Sequence, residues 1–187
     1  MNKTLLSLTA AALLLAACGK KEQPATAAEG QVAGTVQAME TGKAAGAYEK
    51  KDTYFKLPIA AGGELDLAAY AGKPVLVMFF TETCPYCRKA APAIENLHRK
   101  YGAKGLNTLG VCIQEEPQAA LDFGKSLGVT FPLAYKGRAA YKNYKAQGVP
   151  YIYLLDGRHV INNVWEGYDD SYEPEMVKSI EAVLGGK

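Results

Sequence analysis

Val75-Leu76-Val77-Met78-Phe79-Phe80-Thr81-Glu82-Thr83-Cys84-Pro85-Tyr86-Cys87-Arg88-Lys89 is an apolar run that ends in a Cys-x-x-Cys and passes at once into a helical pattern. The run is apolar at every position rather than alternating, as a central strand covered on both faces would be. A strand that enters a helix at a cysteine places the sulfur at the helix N-terminus. There, unpaired backbone N–H groups and the positive end of the helix dipole stabilise a thiolate. Cys84 is therefore the candidate nucleophile, and Cys87, one turn on and closer to the interior, the candidate resolving thiol. Pro85 suits the first helical position, having no N–H to leave unpaired. The competing reading is half of a structural zinc site, which needs a second Cys pair or two closely spaced His. The other cysteines are Cys18 and Cys112 and the histidines are His98 and His159, and none forms a second pair. The pattern points to redox chemistry, with no metal.

The start of the chain speaks to compartment. Lys3 is followed by an apolar run from Leu5 to Ala17, too short for a transmembrane helix of about 20 residues but right for a secretory h-region. It ends Leu15-Ala16-Ala17-Cys18, which resembles a bacterial lipobox and implies cleavage before Cys18 and lipidation there. More than one acyl chain gives stable anchoring to a membrane. Gly19, where inner-membrane retention would favour Asp, leans towards the outer membrane. The expected organisation is a lipoprotein signal peptide over 1–17, a lipidated N-terminus and flexible tether over 18–47, and one domain over 48–187. The tether is rich in Ala, Gly, Thr and charge without an apolar period, and about 30 such residues span about 30 Å. Lys and Arg number 21 against 19 Asp and Glu, with no basic block, so nucleic acid is not indicated. With Cys18 assigned to lipid, Cys84 and Cys87 form one redox pair. Cys112 is left over and reads as a small buried hydrophobe.

The domain reads in order as follows. A small β-hairpin covers Thr53 to Leu57 and Glu64 to Leu67, with a single helical turn from Asp66 to Tyr70. The strand Val75 to Thr81 precedes a helix from Cys84 to about Tyr101, with Ala90, Ala93, Ile94 and Leu97 at helical spacing and Pro92 expected to kink it. Leu106 to Ile113 is a second strand. Pro117 to Leu127 is a helix that buries Ala120, Leu121 and Phe123. Phe131 to Leu133 is a short extended segment, and Arg138 to Ala146 a short helix. Tyr151 to Leu155 and Val160 to Trp165 form a hairpin across a two-residue Asp156-Gly157 turn. A last helix opens at Glu173-Pro174, buries Met176, Val177, Ile180, Val183 and Leu184, and stops at Gly185-Gly186. His98 reads as a helix-surface residue and His159 as a hairpin residue. The tyrosines at 135, 141, 144, 151 and 153 either rim a substrate site or pack.

Several stretches in this order carry a resemblance. Gly72-Lys73-Pro74-Val75-Leu76-Val77 leads to the Cys-Pro-Tyr-Cys, with Pro92 five residues beyond it. Thr130-Phe131-Pro132-Leu133, Gly148-Val149-Pro150 and Tyr153-Leu154-Leu155-Asp156-Gly157 follow. Together they resemble the thioredoxin superfamily, and more closely the TlpA/ResA-type membrane-anchored, periplasm-facing thioredoxins. The resemblance implies an α/β thioredoxin-like fold, a mixed central sheet flanked by helices, with an N-terminal β-hairpin extension. It implies a cis peptide bond before Pro150, packed beside the active disulfide, and a substrate segment paired with the Val149 backbone. It implies a protein-disulfide reductase that needs no organic cofactor. Its substrates would be exported proteins carrying disulfides, and its reductant an integral-membrane thiol-electron transporter. A monomer is expected. The alternatives are a disulfide-introducing oxidase, a thiol peroxidase, whose usual pattern matches Thr81 but not Val77, and a non-catalytic binding lipoprotein.

Departures from the family pattern matter. Thr83 stands where Trp is common. Met78 stands at the buried Asp that helps take the resolving thiol's proton, and Ala90 at the Glu of ResA-type proteins. Glu82 is the remaining candidate acceptor, its alternative being a solvated loop carboxylate. The resemblance implies that Pro85 and Tyr86, between the cysteines, tune the reduction potential, with Pro85 expected to raise it relative to a Gly-Pro pair.

Overall fold

The computed structural model describes residues 49–185. The expected signal peptide and tether, with Cys18, Tyr48, Gly186 and Lys187, lie outside these residues. Among the described residues, seven strands and four α-helices follow one another as β1 (Lys56–Pro58), β2 (Glu64–Asp66), β3 (Val75–Phe80), α1 (Pro85–Tyr101), β4 (Asn107–Cys112), α2 (Pro117–Leu127), β5 (Leu133–Ala134), α3 (Arg138–Asn143), β6 (Tyr151–Leu155), β7 (Ile161–Glu166) and α4 (Tyr172–Gly185). A 3-10 turn, Leu67–Tyr70, follows β2, with the Asp66 carboxylate capping it at Ala68 N. β1 and β2 form the expected antiparallel hairpin. The other strands make one sheet in the order β5-β4-β3-β6-β7. β3 runs parallel to β4, and β4 to β5; β6 and β7 are antiparallel additions on the other side.

β3 lies at the centre, and all six of its side chains are buried. At roughly 1.5–3 kcal/mol for each large apolar side chain taken from water, this strand organises the core. Leu76, Met78 and Phe80 face one cluster with Cys87, Ala90 and Ile94 of α1, Phe123 of α2, and Met176 and Ile180 of α4. Val75, Val77 and Phe79 face the other with Phe55, Leu57, Leu65, Leu67 and Ala140. The tyrosines at 144, 151 and 153 are buried here and pack rather than rim a site. Tyr141, Tyr144 and Tyr153 surround the Phe79 ring at centroid distances of 5.9, 5.1 and 5.9 Å.

Local chemistry sets the element ends. Pro117 starts α2, and Gly128, at φ 65°, ends it in the left-handed region. Gly110 lets β4 pass close beneath its neighbours, since a Cβ there would sit 2.4 Å from Leu133 Cδ2. Pro92 is accommodated within α1.

Some expectations need correction. β6 and β7 are joined by residues 156–160, not by a two-residue turn. Asp156 Oδ1 accepts from Arg158 N at 2.8 Å and Val160 N at 3.0 Å, so its carboxylate closes a wider turn, and β7 starts one residue later than expected. His159, in that turn at φ 58°, is fully buried, and its Nε2 donates to the Tyr70 carbonyl at 3.2 Å. Burial pushes the His159 imidazole below its ordinary value. His98 is half-buried against the Phe131 ring, not on the surface. Leu121 is exposed and lines an apolar groove with Ile59, Val129 and Leu133, while Ala119 takes the buried place on α2. α3 ends at Asn143, because Tyr144 turns into the core and Lys145 adopts φ 57°. β5 pairs with β4 through Leu133 and Ala134, one residue beyond the extended segment read from sequence.

Buried polar groups tie distant segments together. Thr53 Oγ1 donates to the His159 carbonyl at 2.7 Å, and Tyr144 OH to the Thr53 carbonyl at 2.7 Å. The Glu95 carboxylate of α1 accepts from Thr130 N at 2.8 Å, Thr130 Oγ1 at 2.6 Å and Arg99 Nε at 2.6 Å. Burial alone would raise its pKa, but the two Thr130 donors and the Arg99 guanidinium outweigh it and hold Glu95 below the usual carboxylate range. A folded-state value depressed in this way contributes stability above the unfolded carboxylate pKa, and that stability is lost as pH falls through the folded value. We expect Glu95→Gln to cost about 1–2 kcal/mol at pH 7 by chemical denaturation. The difference from wild type should shrink steadily below about pH 4.

Candidate active site

The register of the sheet builds the site. Phe80 is paired with Cys112 and Phe79 with Tyr151, so the C-terminal end of β3 meets the end of β4 and the start of β6. The chain leaves β3 through residues 81–83 and enters α1 at Cys84, the N-cap residue. The segment Gly148-Val149-Pro150, just before β6, is thereby brought against Cys84.

Cys84 has extended backbone angles (φ −66°, ψ 115°), and its Sγ accepts the Cys87 N–H at 3.1 Å. Pro85 occupies the first helical position, as its missing N–H allows. Cys84 and Cys87 are joined by a disulfide. Cys87 is fully buried, Cys84 is partly exposed, and Tyr86 between them is 63% exposed. Only Cys84 of the pair is open to an incoming disulfide. Its Sγ lies 3.4 Å from the Val149 carbonyl oxygen. The Val149–Pro150 bond is cis, as the resemblance implied, and the Pro150 carbonyl accepts the Gly167 N–H at 2.9 Å. The structure thus gathers Cys84, Pro85, Tyr86, Cys87, Val149 and Pro150 in one place.

The field at the sulfur favours an anion. No acidic residue lies in the first turn of α1. Arg88 and Lys89 follow Cys87, and Lys89 pairs with Asp170 at 3.1 Å while lying over the Tyr168 ring. Below Cys87 the surroundings are apolar: Met78 and Ala90 are both fully buried in the same cluster. Glu82 is half-buried in the β3–α1 loop, and its charge bears on Cys112. Cys112 is a free, buried thiol whose pKa burial pushes up, with Glu82 adding to the rise. Among the described residues no three His, Cys, Asp or Glu side chains converge as metal ligands.

Two features of the site went unread in the sequence. One is the contact of Lys89 with Asp170 and Tyr168, which joins residues about 80 positions apart. The other is Gln114, whose Oε1 accepts the Glu82 N–H at 2.8 Å. Gln114 carries no local signal, since it lies just past the end of β4.

Residues 49–164 match the model of the AhpC/TSA family. The chain is 28% identical over 125 residues to the thioredoxin-like protein YneN of Bacillus subtilis, covering 65% of this chain and 73% of that protein. It is 30% identical over 96 residues to the thiol-disulfide oxidoreductase ResA of Bacillus thuringiensis, covering 51% of this chain and 56% of ResA. A match at 27% identity over 112 residues to the DipZ protein of Mycobacterium bovis covers 57% of this chain but only 16% of DipZ. The crystal structure of a candidate thiol:disulfide interchange protein DsbE from Chlorobium tepidum superposes with a TM-score of 0.66 at 25% identity, covering 71% of this chain and 94% of that one. The thioredoxin-like α/β fold implied by the sequence is the fold observed.

The differing environments of the cysteines give a direct expectation. After reduction, brief treatment of the folded protein at neutral pH with iodoacetamide should modify Cys84 first. Cys87 and Cys112 should react only on unfolding, as peptide mass mapping would read.

Proposed function

Because this chain belongs to the AhpC/TSA family, we propose that it is a thiol–disulfide oxidoreductase that reduces disulfides in exported proteins. The observation that carries this reading is the Cys84–Cys87 bond at the α1 N-terminus, with Cys84 alone of the pair open to solvent beside the Val149 carbonyl. The reduced Cys84 thiolate attacks one sulfur of the substrate disulfide, forms a mixed disulfide and expels the other substrate sulfur as a thiolate. Cys87, as thiolate, then attacks Cys84 Sγ and expels the second substrate sulfur. The substrate leaves as a dithiol and the Cys84–Cys87 bond is restored. The helix N-terminus and the Cys87 N–H favour Cys84 as the attacking anion. An extended substrate segment pairs with the Val149 backbone, and exposed Tyr86 and Pro85 border the approach.

The proton of Cys87 has no acceptor at Met78 or Ala90. Glu82 is the carboxylate of the β3–α1 loop to which that role is assigned here. Electrons to regenerate the dithiol come, in this reading, from a membrane thiol-electron transporter. The segments outside the described residues complete it: a signal peptide over 1–17, lipid on Cys18, and a tether holding a monomeric domain on the periplasmic side of the cell envelope, at the outer rather than the inner membrane. Among the described residues no helix is long and apolar enough to cross a membrane. ResA is a thiol-disulfide oxidoreductase by name, and the chain spans 56% of ResA and 16% of DipZ, so substrate and partner are part of the proposal. Direction is set by potential: a pair close to −270 mV acts as a reductant, and one near −120 mV, roughly 7 kcal/mol away, as an oxidant.

The test is capture. Cys87→Ser should accumulate mixed disulfides through Cys84 in cells, released by reductant and visible on non-reducing gels. Cys84→Ser should accumulate none. Absence of adducts with a folded Cys87→Ser protein would sink the exchange reading and favour a binding role.

A further inference from the structure

The loop that presents the nucleophile is held by few bonds. Cys84 N donates to the Thr81 carbonyl at a long 3.4 Å. The Glu82 N–H donates instead to a side chain from another strand, Gln114 Oε1, at 2.8 Å. Gln114 lies just beyond β4 and is itself fixed. Its carbonyl accepts the Lys136 N–H at 2.9 Å, and the Ile113 N–H beside it reaches the Phe80 carbonyl at 3.1 Å. The Cys112 sulfur lies 3.7 Å from the same Oε1. Burial keeps that thiol protonated, so it donates, and two donors on one oxygen decide which way the amide faces. The far end of this arrangement is the Cys84 sulfur, between the Cys87 N–H at 3.1 Å and the Val149 carbonyl at 3.4 Å.

We propose that Gln114 is a positioning residue for thiol–disulfide exchange. By accepting the Glu82 N–H it fixes the β3–α1 loop, and so holds the Cys84 sulfur on the α1 N-terminus and against Val149. Cys112 serves as the donor that orients the Gln114 amide. The inference rests on the redox role of Cys84 and Cys87, but it concerns the equilibrium of that pair and not any particular substrate. Released from Gln114, the loop lets Cys84 move off the helix axis. The reduced form loses part of its thiolate stabilisation while the disulfide, held covalently, keeps its geometry. The pair then becomes harder to reduce.

The experiment is redox equilibration of the folded protein with glutathione, the Cys84–Cys87 pair being quantified by mass after acid quenching. Gln114→Met, which keeps the length but removes the acceptor, should shift the equilibrium constant about two- to fivefold towards the disulfide, the size of a helix-terminus interaction. Gln114→Asn, too short to reach Glu82, should shift it likewise and serves if the Met variant misfolds. Gln114→Glu, which keeps an acceptor oxygen at the same reach, should stay close to wild type. An unchanged constant in folded Gln114→Met or Gln114→Asn overturns the proposal, as does an equal shift in Gln114→Glu, which would mark a merely structural role. Reduction of a protein disulfide by the wild type is followed in parallel. Its failure alongside a Gln114-dependent equilibrium would overturn the reductase reading alone.

Discussion

Water touches neither face of β3. Six consecutive side chains, from Val75 to Phe80, must each find an apolar partner, and they alternate between two faces. Two separate cores follow, one beneath α1, α2 and α4 and one beneath α3 and the N-terminal hairpin. The parallel neighbour β4 requires a crossover, which α1 supplies. The crossover begins where β3 stops, so the sulfur at its first turn stands at the C-terminal end of the central strand, where the start of β6 also arrives. The chemistry is placed by the burial of a strand that takes no part in it.

What could be read in the sequence was whatever local punctuation marks. Pro85 and Pro117 open helices, an unbroken apolar run is a covered strand, and Tyr151 to Leu155 reads the same way between a proline and an aspartate. What could not be read depends on partners far along the chain. Asp156-Gly157 has the composition of a tight turn, but the Asp156 carboxylate takes two N–H groups and widens it. His159 looks like a turn residue, yet its ring is buried because a carbonyl 89 residues earlier accepts from it. Gln114 carries no motif; its importance lies in the parallel pairing that sets the end of β4 beside the exit of β3. The core site residues, by contrast, sit in two short strings, and both strings were visible.

The floor of the site departs from the pattern that the sequence resemblance implied. With Met78 and Ala90 beneath it, Cys87 lies in an apolar cluster with no buried carboxylate among those neighbours. An unpaired carboxyl there would carry a desolvation cost of several kcal/mol in its ionised form. The chain avoids that cost and packs α1 closely on β3. In the proposed exchange, Cys87 therefore finds its base at the margin of the site rather than beneath it.

Thr53, a few residues into the described chain, is buried and bonded through both its hydroxyl and its carbonyl, to His159 and Tyr144. A pull on the N-terminal end of the described residues would therefore meet its first buried hydrogen bonds there. The strain is passed to the β6–β7 turn and to the aromatic cluster around Phe79, through residues 106 and 91 positions distant. The domain is gripped by its far half, and tension on its N-terminal end is borne by the side of the sheet that carries no cysteine of the redox pair.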